Sequence, residues 1–191
     1  MERDVFLKIF SETRALLQGH FLLTSGLHSP TYFQCAQVLQ YPQQSTLLCM
    51  ELARKISHLD VDVVVSLAIG GIVVGQEMGR ALGKRAIFAE REDGKMTLRR
   101  GFTVSPGERV FAVEDVVTTG GSVKEIIALA QAAGGTVVGL GSIVDRSGGK
   151  AGFKIPFFSL LAMEVVTYQP ADCPLCKQGT PAVKPGSRKL K

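Results

Sequence analysis

The run VDVVVSLA, residues 61–68, restricts the possible folds more than any other stretch of this sequence. Consecutive β-branched residues leave a strand no polar face, so both of its faces must be covered. The chain beyond this run keeps alternating. GGIVVGQEMGRALG (70–83) turns into a helix, KRAIFAE (84–90) and ERVFAVED (108–115) are further strands, and a helix opens near Ser122. Its Val123, Ile126, Ile127, Ala130 and Ala133 lie on one side, and Ser122 with Glu125 forms a capping-box pattern at its start. GTVVGLGSIVD (135–145) is the next strand, and FFSLLAMEVV (157–166) a last apolar run. Alternating strands and helices predict an α/β fold, a parallel sheet with helices on both faces. Ligands of such sheets sit at the carboxyl ends of the strands. Upstream, Val5, Phe6, Ile9, Phe10, Leu16 and Leu17 predict a helix over 3–18, and a second is predicted from Ser45 to Ile56. Between them, residues 19–39 are rich in turn formers and read as loop and short strand.

At 191 residues the chain has material for one such domain, predicted over 1–172, followed by a tail over 173–191. The tail explains the net charge of +5: Lys177, Lys184, Arg188, Lys189 and Lys191 lie in it, with no acid. The other 172 residues hold 17 basic and 17 acidic side chains, which argues against a nucleic-acid-binding surface and makes the tail a solvated terminus. The longest uncharged apolar region, Val63 to Gln76, is too short and too interrupted to span a bilayer. MERDVFLKIF lacks the apolar run of a secretory signal, so a cytoplasmic protein without a membrane partner is expected. Cys173 and Cys176 have ligand-like spacing, but one C-x-x-C cannot complete a tetrahedral zinc site; distant thiols such as Cys35 and Cys49, or a partner chain, would have to contribute. Reduced thiols are the expectation.

Chemistry concentrates in VFAVEDVVTTGGS, residues 110–122. Two adjacent carboxylates, Glu114 and Asp115, end an apolar strand, and like charges side by side are unfavourable unless a ligand uses them. Gly120 and Gly121 let the backbone approach a ligand, and their N–H groups with the helix start behind them make an anion cradle. Thr118, Thr119 and Ser122 add hydroxyl donors. Carboxylates for sugar hydroxyls beside a phosphate cradle suit a ribose 5-phosphate. Two rival nucleotide motifs fail. A P-loop would need glycine where Met78, Ala89 and Val144 stand, and GGIVVG (70–75) spaces its glycines wrongly for a dinucleotide fold.

Residues 110–122 resemble the phosphoribosyl-pyrophosphate motif of type I phosphoribosyltransferases, and flanking pieces narrow the resemblance to orotate phosphoribosyltransferases. FLLTSGLHSPTYF (21–33) is similar to that family's substrate-recognition segment and SLAIGGIVVG (66–75) to its pyrophosphate loop. FAEREDGKMTLRRGF (88–102) stands in the place of its mobile catalytic loop, and IVDRSGG (143–149) in that of its base-recognition segment. Two departures are plain: Thr24 stands where many members have lysine, and the loop has no histidine.

The resemblance implies transfer of phosphoribosyl from 5-phosphoribosyl 1-pyrophosphate to orotate in pyrimidine synthesis, with Mg²⁺ held mainly by substrate rather than directly by protein. It implies a small hood from about residues 1–40 and part of the C-terminal region, and a homodimer. Glu114 and Asp115 would hold ribose hydroxyls, Thr118 through Ser122 would wrap the 5-phosphate, Val116 and Val117 would join the phosphoribosyl-pyrophosphate site, and Gly70 and Gly71 would meet the pyrophosphate. Thr118 and Arg146 would contact orotate, with Phe33 or Tyr32 stacking on its ring. Lys95 and Arg91, with Arg99 and Arg100 behind them, are the loop cations implied for catalysis alongside Asp115 and Glu114. Two alternatives remain open: a purine phosphoribosyltransferase, and a phosphoribosyl-pyrophosphate-sensing regulator that binds nucleic acid through the basic tail.

Overall fold

A computed structural model describes residues 3–23 and 25–185. Helix α1, Arg3–Glu12, buries Phe6, Ile9 and Phe10. It stops well short of residue 18. Arg14 adopts a left-handed φ of 55°, and the Ala15 N–H donates to Phe10 O at 2.8 Å, closing the helix in a Schellman-like turn. No glycine marks that turn, so Leu16 and Leu17 fit the helical period but belong to the next strand. That strand, β1 (Leu16–Leu22), pairs antiparallel with β2 (His28–Phe33). A short helix α2 (Ala36–Leu39) leads into α3 (Pro42–Lys55), which starts three residues before the predicted Ser45 with proline in its first turn.

The alternation then follows the sequence reading closely. Strand β3 (Val63–Leu67) leads to α4 (Gly71–Leu82), then to β4 (Arg85–Glu92), β5 (Lys95–Leu98) and β6 (Arg109–Val117). Helix α5 (Gly121–Ala132), β7 (Thr136–Asp145) and β8 (Phe157–Ala162) complete the core. The sheet order is β5-β4-β3-β6-β7-β8, parallel except for the antiparallel edge β5. All five residues of β3 are buried, as its composition requires. Val64 faces a cluster containing Phe10, Leu48, Leu52, Val74 and Met78, whereas Val63 and Val65 face Val123, Ile126 and Ala130 of α5. Helices therefore cover both faces, and each fully buried aliphatic side chain contributes ~1.5–3 kcal/mol to holding them there.

The segment after β8 corrects the picture of a solvated tail beginning at 173. Tyr168 bridges His28 through paired backbone bonds, a 3₁₀ turn spans Pro170–Asp172, and α6 spans Pro174–Lys177. Val183 then pairs with the hairpin: Leu22 N–H donates to Val183 O and Val183 N–H to His20 O, both at 2.8 Å. Backbone pairing, which no side-chain pattern advertises, ties residues 168–183 to the β1–β2 hairpin. Residues 186–191, with Arg188, Lys189 and Lys191, lie outside the described residues, as does Thr24. Among the described residues, no helix is long and apolar enough to cross a membrane.

Candidate active site

The sheet's winding reverses between β3 and β6: β3 continues through α4 to β4 on one side, while β6 continues through α5 to β7 on the other. At such a switch point two loops leave in opposite directions and open a crevice at the carboxyl ends of the strands. Ala68–Gly70 and Thr118–Gly120 are those loops. The Ala68–Ile69 peptide is cis. Gly70 has an ordinary helical φ of −57°, so its lack of a side chain serves contact rather than conformation. A β-carbon there would lie 2.9 Å from Asp115 Oδ2 and 3.1 Å from Oδ1, so Asp115 occupies the space a side chain would need.

Glu114 and Asp115 are both half-buried at the end of β6. Asp115 keeps some surface open, but the protein around it desolvates the carboxyl and pushes its pKa up, against the pull of N–H donors from Val116 and its own backbone. Val117 is wholly buried with its carbonyl accepting from Arg146 N–H, and half-buried Val116 packs on the core. Thr118, Thr119 and Gly121 are exposed, and Ser122 is half-buried. Gly120 caps α5 with φ 77°, and a β-carbon there would meet Phe153 Cζ at 2.7 Å; backbone and packing both demand glycine. The capping box does not form. No side chain caps α5, Ser122 lies inside the helix, and Glu125 pairs with Arg91 at 2.7 Å. The predicted reciprocal bonds would have consumed the N–H groups that, left uncapped, can receive an anion.

Arg146 follows β7, its N–H bonded to Val117 O at 2.8 Å, which sets it beside the end of β6. Its guanidinium lies 5.9 Å from the ring centres of both Tyr32 and Phe33, bringing the hairpin to the same crevice. Phe33 is buried edge-on against Phe10, at 6.0 Å between centroids, and Tyr32 carries the half-exposed ring. Cys35 sits between the charges, its Sγ 3.9 Å from Asp115 O. Burial first, then the Asp115 charge, push its thiol well above the usual range, while Arg146 pulls the other way. Burial also lowers the pKa of Arg146, and its Nε is buried without a hydrogen-bond partner. Among the described residues neither Asp115 nor Arg146 makes an ion pair. A desolvated carboxylate and a desolvated guanidinium that share a crevice without pairing are suited to a ligand bearing groups for both.

Residues 88–102 are not an open loop here. They form the β4–β5 hairpin, turned by Asp93 and Gly94 at φ 49° and 82°, a pair of left-handed residues matching the twist of a two-residue turn. Arg91 binds Glu125 and Gly94 O, Arg99 meets Glu90 and Glu92, and Arg100 meets Glu90 while lying 5.7 Å over Phe88. Lys95 is exposed and makes no ion pair among the described residues. Sequence reasoning missed Cys35 and the Gly70–Asp115 contact, which join parts of the chain far apart in sequence; no local pattern announces either.

The phosphoribosyl transferase domain family matches residues 37–165, which cover the six-stranded sheet and the crevice residues from Ala68 to Arg146, so the protein is of that class. Among solved structures it resembles an orotate phosphoribosyltransferase from Aeropyrum pernix, at TM-score 0.70, 24% identity, and 82% and 93% coverage of this chain and that one. It also resembles an adenine phosphoribosyltransferase from Thermoanaerobacter pseudethanolicus, at TM-score 0.60, 18% identity, and 70% and 88% coverage. The shared fold therefore does not choose the base. Sequence does: the orotate phosphoribosyltransferase of Pelotomaculum thermopropionicum is 57% identical over 190 residues, the full length of both chains. The chain belongs to the orotate phosphoribosyltransferase family.

Proposed function

We propose that this protein transfers the phosphoribosyl group of 5-phosphoribosyl 1-pyrophosphate to orotate, giving orotidine 5′-monophosphate and pyrophosphate. The family membership supports it, and the carrying observation is the unpaired Arg146 guanidinium with its partnerless buried Nε beside the half-exposed Tyr32. Orotate is a planar carboxylate; a guanidinium fork binds the carboxylate and an aromatic ring covers the plane. Thr118 lies in the adjoining turn as a further contact, and buried Phe33 backs Tyr32. The uncapped start of α5 with Thr118 through Ser122 would receive the 5-phosphate. Glu114 and Asp115 would hold the ribose hydroxyls, and Gly70 and Gly71 would admit the pyrophosphate.

In the reaction a ring nitrogen of orotate forms the bond to ribose C1, and the C1–O bond to pyrophosphate breaks with its electrons leaving on oxygen. Negative Asp115 and Glu114 favour the positive charge that develops on the ribose, an electrostatic effect strengthened by desolvation. Lys95 is the hairpin cation available to the departing pyrophosphate. The family implies Mg²⁺, held mainly by the substrate, and the site fits that: the carboxylates of Asp115 and Glu114 on the ribose hydroxyls lend the negative surroundings a substrate-bound hard cation accepts. Bound with the substrate, Mg²⁺ would offset the charge of the pyrophosphate.

A homodimer is part of this reading. A concavity of about 450 Å³ on α3 is lined by Pro42, Gln43, Thr46, Leu47 and Met50, with Met50 58% exposed. It offers an apolar face to a second copy; light scattering at the monomer mass would refute that part. The central test is loss of orotate absorbance with 5-phosphoribosyl 1-pyrophosphate and Mg²⁺, run in parallel with adenine, hypoxanthine and uracil. Turnover confined to orotate is expected. Turnover of a purine, or of no base despite binding of 5-phosphoribosyl 1-pyrophosphate, would overturn the reading.

A further inference from the structure

The β1–β2 hairpin contributes to a second cluster that the reaction does not use. His20 and His28 of the β1–β2 hairpin meet Cys173 and Cys176 from the C-terminal segment, and their ligand atoms all lie within 4.8 Å of one another. His20 Nε2 is 2.8 Å from His28 Nδ1, 3.4 Å from Cys173 Sγ and 3.8 Å from Cys176 Sγ; Cys176 Sγ is 3.3 Å from His28 Nδ1. Zinc bonds of ~2.3 Å to sulfur and ~2.0–2.1 Å to nitrogen make tetrahedral edges of roughly 3.3–3.8 Å. These three sulfur–nitrogen separations already match, and the two imidazoles need move apart by only about half an ångström.

The ring orientations are set as well. His20 Nδ1 lies 2.7 Å from Thr180 O, and a carbonyl can only accept, so Nδ1 carries the proton and the Nε2 lone pair faces the cluster. His20, His28 and Cys173 are buried, while Cys176 reaches the surface, which gives an ion a path of entry. Two of the chain's three histidines and two of its four cysteines gather at one point. We propose that this is a structural zinc site, Cys₂His₂, which clamps the C-terminal segment onto the hairpin that carries Tyr32. Four protein ligands leave no open position, so the ion is structural rather than catalytic. The C-x-x-C that cannot bind zinc alone is completed by the hairpin's histidines, eight residues apart in sequence and brought to 2.8 Å of each other by the folding back of β2 on β1, not by Cys35 or Cys49. Cys49 is buried against Val74 O and Cys35 lies at the active crevice.

The test is the metal content of the full chain, purified without chelator or polyhistidine tag, by plasma mass spectrometry. About one zinc per chain is expected. Refolding with Co²⁺ in place of zinc should give a thiolate-to-cobalt charge-transfer band and intense visible bands of tetrahedral cobalt. Cys176→Ser, at the exposed ligand, and His28→Ala should each lower retained zinc at least tenfold after dialysis against a mild chelator, whereas Cys49→Ser should keep it. Metal-free wild-type protein that takes up neither zinc nor cobalt would overturn the proposal, whether its thiols are free or Cys173 and Cys176 are joined in a disulfide. Zinc retained by both ligand variants would overturn it too, since the ion would then sit elsewhere.

Discussion

Gly70→Ala separates the role of the crevice from the stability of the fold. The added methyl would lie 2.9 Å from Asp115 Oδ2, 3.1 Å from Oδ1 and 3.2 Å from Cγ. Carbon contacts settle near ~3.5 Å, so something must give by about half an ångström. Overpacking of this kind costs ~1–3 kcal/mol when the neighbours are rigid. Opposing it, φ −57° and ψ −41° suit alanine, and replacing glycine at such a position gains ~0.4–1 kcal/mol by restricting the unfolded chain. Asp115 ends a strand at an open crevice, so the carboxyl rather than the backbone should move. Net destabilisation is then about 1 kcal/mol, a fall of roughly 2–4 °C in Tm for a chain of this length. Activity should suffer more, because misplacing a positioning group by up to ~1 Å can lower the rate ~10²-fold. The control is Arg80→Ala, in the last turn of the same helix, which removes one surface pair with Glu77 and leaves the assigned site untouched. Steady-state kcat/KM for 5-phosphoribosyl 1-pyrophosphate, with melting curves on the same samples, decides the matter. Wild-type kcat/KM in Gly70→Ala, or equal losses in both variants, would refute the reasoning.

Asp115→Asn should lower kcat ~10²–10³-fold yet stabilise the ligand-free protein at neutral pH. The native carboxyl binds its proton more tightly than the unfolded chain does, so the wild type loses stability as pH rises from about 3.8 through the raised native value. The variant lacks that loss, and a Tm at pH 7 below wild type would contradict the assigned burial. Arg146→Lys keeps the charge but loses the fork, and should raise the KM for orotate about 10–100-fold with little change for 5-phosphoribosyl 1-pyrophosphate; equal effects on both would move Arg146 away from the base. Lys95→Ala should lower kcat more than Arg91→Ala, which removes an exposed pair worth ~0–1 kcal/mol. The reverse order in single-turnover rates would assign the leaving-group role to Arg91.

Legibility followed the distance over which each feature is determined. The buried run around Val63–Leu67 announced a covered strand because side-chain hydration is a local property, and the alternation around it was enough to predict a parallel sheet with helices on both faces. VFAVEDVVTTGGS was readable for the same reason: strand end, turn and helix start lie within thirteen consecutive residues. Local patterns failed where two solutions had similar local energies. Leu16 and Leu17 fit a helix as well as a strand until the turn at Arg14 and pairing with β2 decided, and Ser122–Glu125 offered a capping box until Arg91 took the glutamate. Asp115 pressed against Gly70, Arg146 over Tyr32, and His20 and His28 facing Cys173 and Cys176 each join segments distant in sequence. The sequence by itself thus determined the sheet, its covering helices and the phosphate turn, because burial and backbone geometry act between near neighbours. Only the tertiary structure decided which charges stay unpaired and which thiols meet histidines, because those depend on how the strands order and where the chain's end returns.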